Sequence, residues 1–566
     1  MTQQPTNIQV KDIDHLGIVA GIIDQMSWVD EINQLVGTHS LEQVSTGQLL
    51  KAMILNGLGF VAAPLYLLAQ FFEGKATEHL IGEGVKPEHL SDDRLGRALD
   101  KFYQVGATQV FTTLAMKAVE QFGVSVTSIH LDSSSFHVDG EYVSECSENS
   151  SSQESAATSN SATSSESASP QEPEGDEPKP IAITHGYSRD HRPDLKQFII
   201  DTVCTADGDV PLFLRVADGN EDDKTSFTKL FEKFREQWTF EGLCVADSAL
   251  YTADNLIAMK QLKWLTRVPL TLAQAKVVLL EIQANEWQTS RLKGYRLAER
   301  QSCYGGVQQR WFIVESEQRK QADIQQLHKR IDKEYKQQSV KLRQLSTQEF
   351  ACEPDARAAA VKFEQLLKYH RLEDLKFIPQ AYYDKAGRPR QDEAPSRITY
   401  SVQATVVPNP EVIEVEMLRA GRFILATNVL DAIELSPDQA LSEYKDQQSN
   451  ERGFRFLKDP LFFTSSIFVK SPRRVEALAM VMGLCLLVYA LAQRQLRQAL
   501  EQTDEAINNQ AGKLTQRPSL RWVFLSFQAV HLLIVDDLKQ ITNLTPERRK
   551  ILRFLGTDAS RYYQLC

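Results

Sequence analysis

The chain of 566 residues, 42% of them hydrophobic, is long enough to bury substantial cores and divides by length alone into about three or four units. Its seven cysteines lie far apart, with no CxxC pair and no histidine at zinc-ligand spacing, which excludes a zinc finger and fits a reducing cytoplasm. The net charge of −11 argues at first against a nucleic-acid partner. Eight acids and no base fall between Ser144 and Pro178, however, so the rest of the chain carries −11 + 8 = −3 and charge excludes neither possibility.

The opening MTQQPTNIQVKDIDHLG lacks the basic and apolar regions of a secretion signal, so export is not expected. Residues 1 to 123 read as helical. Thr46 is placed to cap one helix through LLKAMILNGLGF, and Ser91 to open another through DRLGRALDKFY. In the second, Leu95, Leu99 and Phe102 share one face and Arg94, Arg97 and Lys101 another; the basic stripe reads as a solvated face, with a DNA-facing helix as the alternative.

Alternating, β-branched VTSIHLD predicts a strand ending at Asp132. Residues 144–180 are rich in Ser, Glu and Pro with almost no large apolar side chain, and read as a disordered insertion that burial cannot order. Next, KQFIIDTVCT and DVPLFLRVADGN around Ala206–Asp209 predict a hairpin, GLCVADSALY a strand ending near Asp247, ADNLIAMKQ a helix and KWLTRVP another strand. This alternation is that of an α/β sheet domain.

From about 271 to 396 the pattern changes to a hairpin around Gly305-Gly306 and a very polar helical stretch from Gln318 to Leu372, read as an inserted subdomain. Its charged residues read as a solvated helical hairpin, with phosphate-tracking Lys and Arg as the alternative. Strand-like ITYSVQATVV, EVIEVEML and GRFILATN resume the sheet, and the tail from Ser436 is largely helical. The apolar run Ala477–Ala492 is 16 residues, short of the roughly 18 of a membrane span, and reads as a buried core helix.

Three acids stand where an α/β nuclease needs them: Asp132 and Asp247 at strand ends, where either alone also reads as a turn or cap residue, and Glu451 in a helix. Ser436 is placed to cap that helix and Pro437 to start it. Along it Tyr444, Gln447, Glu451, Arg455 and Lys458 recur at spacings of three and four and fall in one stripe about 80° wide. A stripe that mixes an acid, a phenol, an amide and two cations suits a site for metal and phosphate together, with a salt-bridged solvent face as the alternative. His130 and His137, which flank Asp132, read as packing or surface residues, and Trp264, Trp287 and Trp311 as core or hairpin packing rather than base-stacking platforms.

The order Asp132, Asp247, Glu451, with Tyr444, Gln447, Glu451 and Lys458 in a Tyr-Arg-Glu-Lys spacing, resembles the DDE transposases of bacterial insertion sequences. The segments GYSRDHRPDLKQ and VADSALY, and the long insertion before the glutamate, look like the same branch. The signature arginine is Gln447 here, a hydrogen-bond donor without charge, with Arg452 and Arg455 the nearest cations to take its place.

The resemblance implies a mixed α/β, RNase H-like catalytic domain in two parts, 124–270 and 397–566, interrupted by an insertion at 271–396. An all-helical domain over 1–123, suited to DNA-end binding, would precede it. It implies two Mg²⁺ ions, with Mn²⁺ able to substitute, held by Asp132, Asp247 and Glu451, and DNA contacts from Tyr444, Gln447, Arg455 and Lys458. The expected partners are element-end and target duplex DNA bound by a homodimer, in the bacterial cytoplasm with no membrane. A DNA-binding relative without catalysis, or a metal-dependent nuclease without strand transfer, are the other readings.

Overall fold

The computed structural model describes residues 8–39, 42–60, 64–138, 142, 179–187, 192–221, 223–384, 394–447, 458, 469–536 and 538–564. Most of the insertion read over 144–180 lies outside them, as do Glu451 and Arg455. Strands of four or more residues are β1 Ile8–Asp12, β2 Ser128–Val138, β3 Lys196–Thr205, β4 Pro211–Ala217, β5 Leu243–Ala246, β6 Lys263–Arg267, β7 Tyr295–Tyr304, β8 Val307–Ser316, β9 His370–Tyr382, β10 Arg397–Pro408, β11 Arg422–Thr427, β12 His531–Val535 and β13 Leu538–Thr542. Helices of nine or more are α1 Leu16–Gln25, α2 Trp28–Val36, α3 Thr46–Gly57, α4 Asp92–Val105, α5 Ala107–Phe122, α6 Asp223–Gln237, α7 Ala273–Glu281, α8 Glu317–Ser346, α9 Glu353–Glu364, α10 Pro410–Arg419, α11 Pro437–Asp446, α12 Pro472–Gln502 and α13 Pro546–Ser560.

The chain is mixed α/β and forms two compact units. The first comprises residues 1–266, 305–307 and 443–566. Its sheet runs β4-β3-β2-β5-β6, antiparallel among β4, β3 and β2 and parallel from β2 through β5 to β6. Gly208 and Asp209 both take positive φ (85° and 58°), the left-handed conformation that lets β3 turn back into β4.

The N-terminal helices do not keep a core to themselves. Ile18 and Ile22 of α1, Leu50 and Ile54 of α3 and Phe111 of α5 join one hydrophobic cluster with Leu478 and Leu487 of α12 and Leu552 of α13, and with Phe198 and Leu214 of the sheet. β1 also pairs with β12. The central helix α12 carries the apolar run read as a core helix. It is long and apolar enough to cross a membrane, yet 89% of its apolar window is buried within the protein. It presses so closely on the sheet that a Cβ added at Gly483 would stand 2.3 Å from Leu214 Cδ1.

The second unit comprises 267–304 and 308–442. β11, β8 and β7 form its sheet, and the β7–β8 hairpin turns at Gly305 and Gly306 with φ of 60° and 71°. α8 and α9 pack on the β9–β10 ribbon through Leu342, Phe363 and Val406. Two sequence expectations change here. β10, read as resuming the main sheet, pairs instead with β9 in a separate two-stranded ribbon. EVIEVEML, read as a strand, is helix α10: Pro410 occupies its first turn, and the Glu, Met and Leu content outweighs the β-branched alternation.

Candidate active site

β2 runs well past Asp132, to Val138, because Ser134 to Val138 continue the antiparallel ladder with Lys196 to Ile200 of β3. Asp132 therefore lies mid-strand and not at a strand end as expected. The rim beside it comes from β5, which stops at Ala246. Between these parallel strands the register pairs Ser128 with Leu243, Ile129 with Cys244 and His130 with Val245. Carried two residues on, it sets Asp132 opposite Asp247, whose backbone (φ −73°, ψ −176°) is still extended. Neighbouring strands lie about 4.8 Å apart and opposed residues point the same way, so the two half-buried carboxylates share one face at one level.

Backbone donors orient both acids. Ser133 N donates to Asp132 Oδ1 at 2.8 Å, and Ala249 N donates to Asp247 Oδ1 at 2.9 Å, making Asp247 the cap of the short helix that follows. Thr266 Oγ1 of β6 donates to the Asp247 carbonyl at 2.5 Å, tying the end of β5 to the next strand. Among the described residues, no group of three or more His, Cys, Asp and Glu converges to hold a metal ion. Asp132 and Asp247 supply two hard oxygen donors of the kind Mg²⁺ takes, and the third expected ligand, Glu451, is not among the described residues.

Lys458 is described, and its ammonium lies 5.4 Å from the centre of the Phe136 ring. Phe136 and Asp132 occupy alternate positions of β2 and so share a face. Tyr444 is half-buried on α11, whose start is set by Ser436: its hydroxyl accepts from Gln439 N, and the Gln439 side chain accepts from Ser436 N. α11 is described to Asp446, Gln447 follows in a 3₁₀ turn, and Lys458 stands in a turn. Residues 448–457, over which the helical stripe expected from Tyr444 to Lys458 runs, lie outside the described residues.

His130 is 1% exposed with neither ring nitrogen hydrogen-bonded, and burial pushes its pKa down to about 4, so it is neutral near pH 7. Trp264 and Trp311 are buried, the latter donating to Gln309 Oε1 at 3.0 Å. Trp287 is covered by the guanidinium groups of Arg296 and Arg422, 5.3 and 5.1 Å from its ring centre. Sequence reasoning missed the buried ion pair on the other face of the sheet, where Arg215 Nε donates to Asp201 Oδ2 at 2.8 Å and Arg215 Nη2 to Glu221 at 2.9 Å. Alternating charge across the hairpin, Asp201 in β3 against Arg215 in β4, was the available signal.

A family model described as a domain of unknown function, DUF4277, matches residues 8–116, from β1 into α5. No curated protein matches the chain. Among solved structures, the cryo-EM structure of a piggyBac transposase synaptic complex with hairpin DNA is similar over 99% of this chain and 88% of that one, at 8% identity and a TM-score of 0.35. At that level of likeness the functional reading has to come from the chain's own residues.

Proposed function

We propose that the chain is a DNA transposase of the DDE type, built on an RNase H-like sheet. It would cleave the ends of a mobile element and join them to target DNA. The observation that supports this reading is the parallel register of β2 and β5, which, carried two residues past His130 and Val245, sets Asp132 opposite Asp247, 115 residues apart in sequence (247 − 132). Two half-buried like charges so close are costly unless something positive stands between them.

Asp132, Asp247 and Glu451 are the residues proposed to hold Mg²⁺ or Mn²⁺, with carboxylate oxygens as hard donors. Such ions, when bound, supply the positive charge that activates an attacking oxygen and stabilises a leaving one. The hydrogen bonds from Ser133 N and Ala249 N hold each carboxylate at a fixed rotation before DNA arrives. Lys458, anchored over Phe136, brings a cation to the same strand face for a phosphate, with Tyr444, Gln447 and Arg455 as further DNA contacts.

The test is purified protein with Mg²⁺ and labelled element ends. Joined product is expected from the wild-type chain, and neither cleavage nor joining from Asp132→Asn, Asp247→Asn or Glu451→Gln, with end binding largely retained. Cleavage without joining would leave a nuclease; full activity in any one variant would remove that residue from the site.

A further inference from the structure

Helix α8 has two faces of opposite character. Leu327, Gln338 and Leu342 are buried, with Leu342 packed against Phe363 and Val406. Half a revolution away lie Lys329, Lys333, Lys336 and Arg343, all exposed, in a stripe about 80° wide and about 21 Å long at 1.5 Å per residue. Arg330 and Lys341 flank it and are also exposed.

Between Gln325 and Ser346 the sequence holds six Lys and Arg against two acids, Asp332 and Glu334. Glu334 is engaged elsewhere, accepting from the backbone N–H groups of Lys368 and Tyr369. None of the six cations has a carboxylate partner among the described residues. The paired cations of this helix, Arg319 with Asp323 and Lys320 with Glu315, lie at its start.

A solvated helix face gains stability by alternating charge sign at spacings of three and four, and like charges at those spacings lose a similar amount. Lys329 with Lys333, and Lys333 with Lys336, are such repelling pairs. A row of phosphates reverses the sign of that interaction. We propose that the exposed stripe of α8 docks the phosphate backbone of duplex DNA without regard to base sequence. Lysine ammonium groups on flexible stems serve as point charges for phosphate, and Gln326, Gln337 and Gln344 along the edge add uncharged donors. The inference takes its choice of duplex DNA from the transposase reading, and the charge and spacing from α8 alone.

The experiment compares the full chain with its Lys329→Gln/Lys333→Gln/Lys336→Gln variant, titrated against an arbitrary duplex at several salt concentrations with a chelator present. Losing three phosphate contacts should reduce the slope of log affinity against log salt by about 2 to 3, so the gap between the two proteins closes by about fortyfold between 50 and 200 mM. The corresponding triple Lys→Arg variant should behave as wild type. A control with the same charge change at exposed positions off this helix, Lys276, Lys293 and Lys362 to Gln, should keep the wild-type slope. Parallel lines for the α8 variant, or an equal loss in the control, overturn the proposal. A wild-type chain that binds no duplex at all sinks the transposase reading with it, whereas binding with parallel lines sinks the stripe alone.

Discussion

Replacing Asp132 with Asn should do two opposite things: abolish cleavage and, without metal, make the protein more stable. The β2–β5 register, carried two residues on, sets Asp132 opposite Asp247, which puts their carboxylates about 5 to 6 Å apart by strand spacing. At an effective dielectric of about 20 their repulsion is about 3 kcal/mol, and water at these half-buried positions lowers it to about 1 to 3 kcal/mol. Asn keeps the oxygen that accepts from Ser133 N, and at position 247 it caps a helix as well as Asp does, so each substitution removes the charge and keeps these backbone hydrogen bonds.

A double-mutant cycle reads the pair directly. Each single Asp→Asn change should raise metal-free stability, the second should add almost nothing, and the coupling should be about 1 to 3 kcal/mol. Mg²⁺ should stabilise the wild-type chain and not the variants. Denaturant melts with and without chelator, run beside a cleavage assay, supply all the numbers. Coupling within about 0.5 kcal/mol of zero would mean that the carboxylates are not neighbours. Cleavage by either single variant within about tenfold of wild type, about 1.4 kcal/mol of barrier, would remove that residue from catalysis.

Burial pushes Glu476 of α12 up to about 7, against the pull of Lys233 and the Ile181 N–H and with the push of Asp218. Between its ordinary 4.5 and about 7 the folded protein holds a proton that the unfolded chain releases, so stability falls as pH rises across that window. Glu476→Gln should therefore stabilise by about 2 to 3 kcal/mol at pH 8 and hardly at all at pH 4.5; equal effects in urea melts at the two pH values would refute this. Arg215→Met removes the cation paired with the fully buried Asp201 and should cost about 3 to 5 kcal/mol, whereas replacing both residues with apolar ones should restore much of it. Gly483→Ala drives a methyl into Leu214 and should cost about 1 to 3 kcal/mol, recovered in part by Leu214→Ala; a neutral Gly483→Ala would mean that α12 can lift from the sheet.

Local signals carried much of the fold. Turn chemistry at Asp207–Asp209 and at Gly305-Gly306, and the apolar runs of β3, β4, β6 and β11, mark elements that the structure contains. The failures are equally local in origin. Ser133 to Ser135 look like a turn because short polar residues favour turns, yet their neighbours on β3 hold them in a ladder, and β2 becomes an 11-residue strand. The shared core of α1, α3, α12 and α13 joins helices hundreds of residues apart, and no window of sequence contains such a contact. A Cβ at Gly21 of α1 would stand 2.4 Å from Ala559 Cα of α13, a close approach visible only once both helices are placed.

The candidate site divides along the same line. Residue types and spacing name Asp132, Asp247 and Lys458 as candidates, because acids following apolar runs and a cation in a mixed stripe are chemical statements about single segments. What spacing could not give is register. β2 reaches β5 only through β3, β4 and α6, and a one-residue slip in the parallel pairing would turn one carboxylate to the opposite face of the sheet. The slip is prevented away from the acids, by Ile129 and Cys244, both fully buried and paired across the two strands. Moving either side chain to the opposite face would cost about 1.5 to 3 kcal/mol of burial. The apolar residues three positions before each acid therefore set the level at which the acids meet, so the polar pair is positioned by buried hydrophobic neighbours.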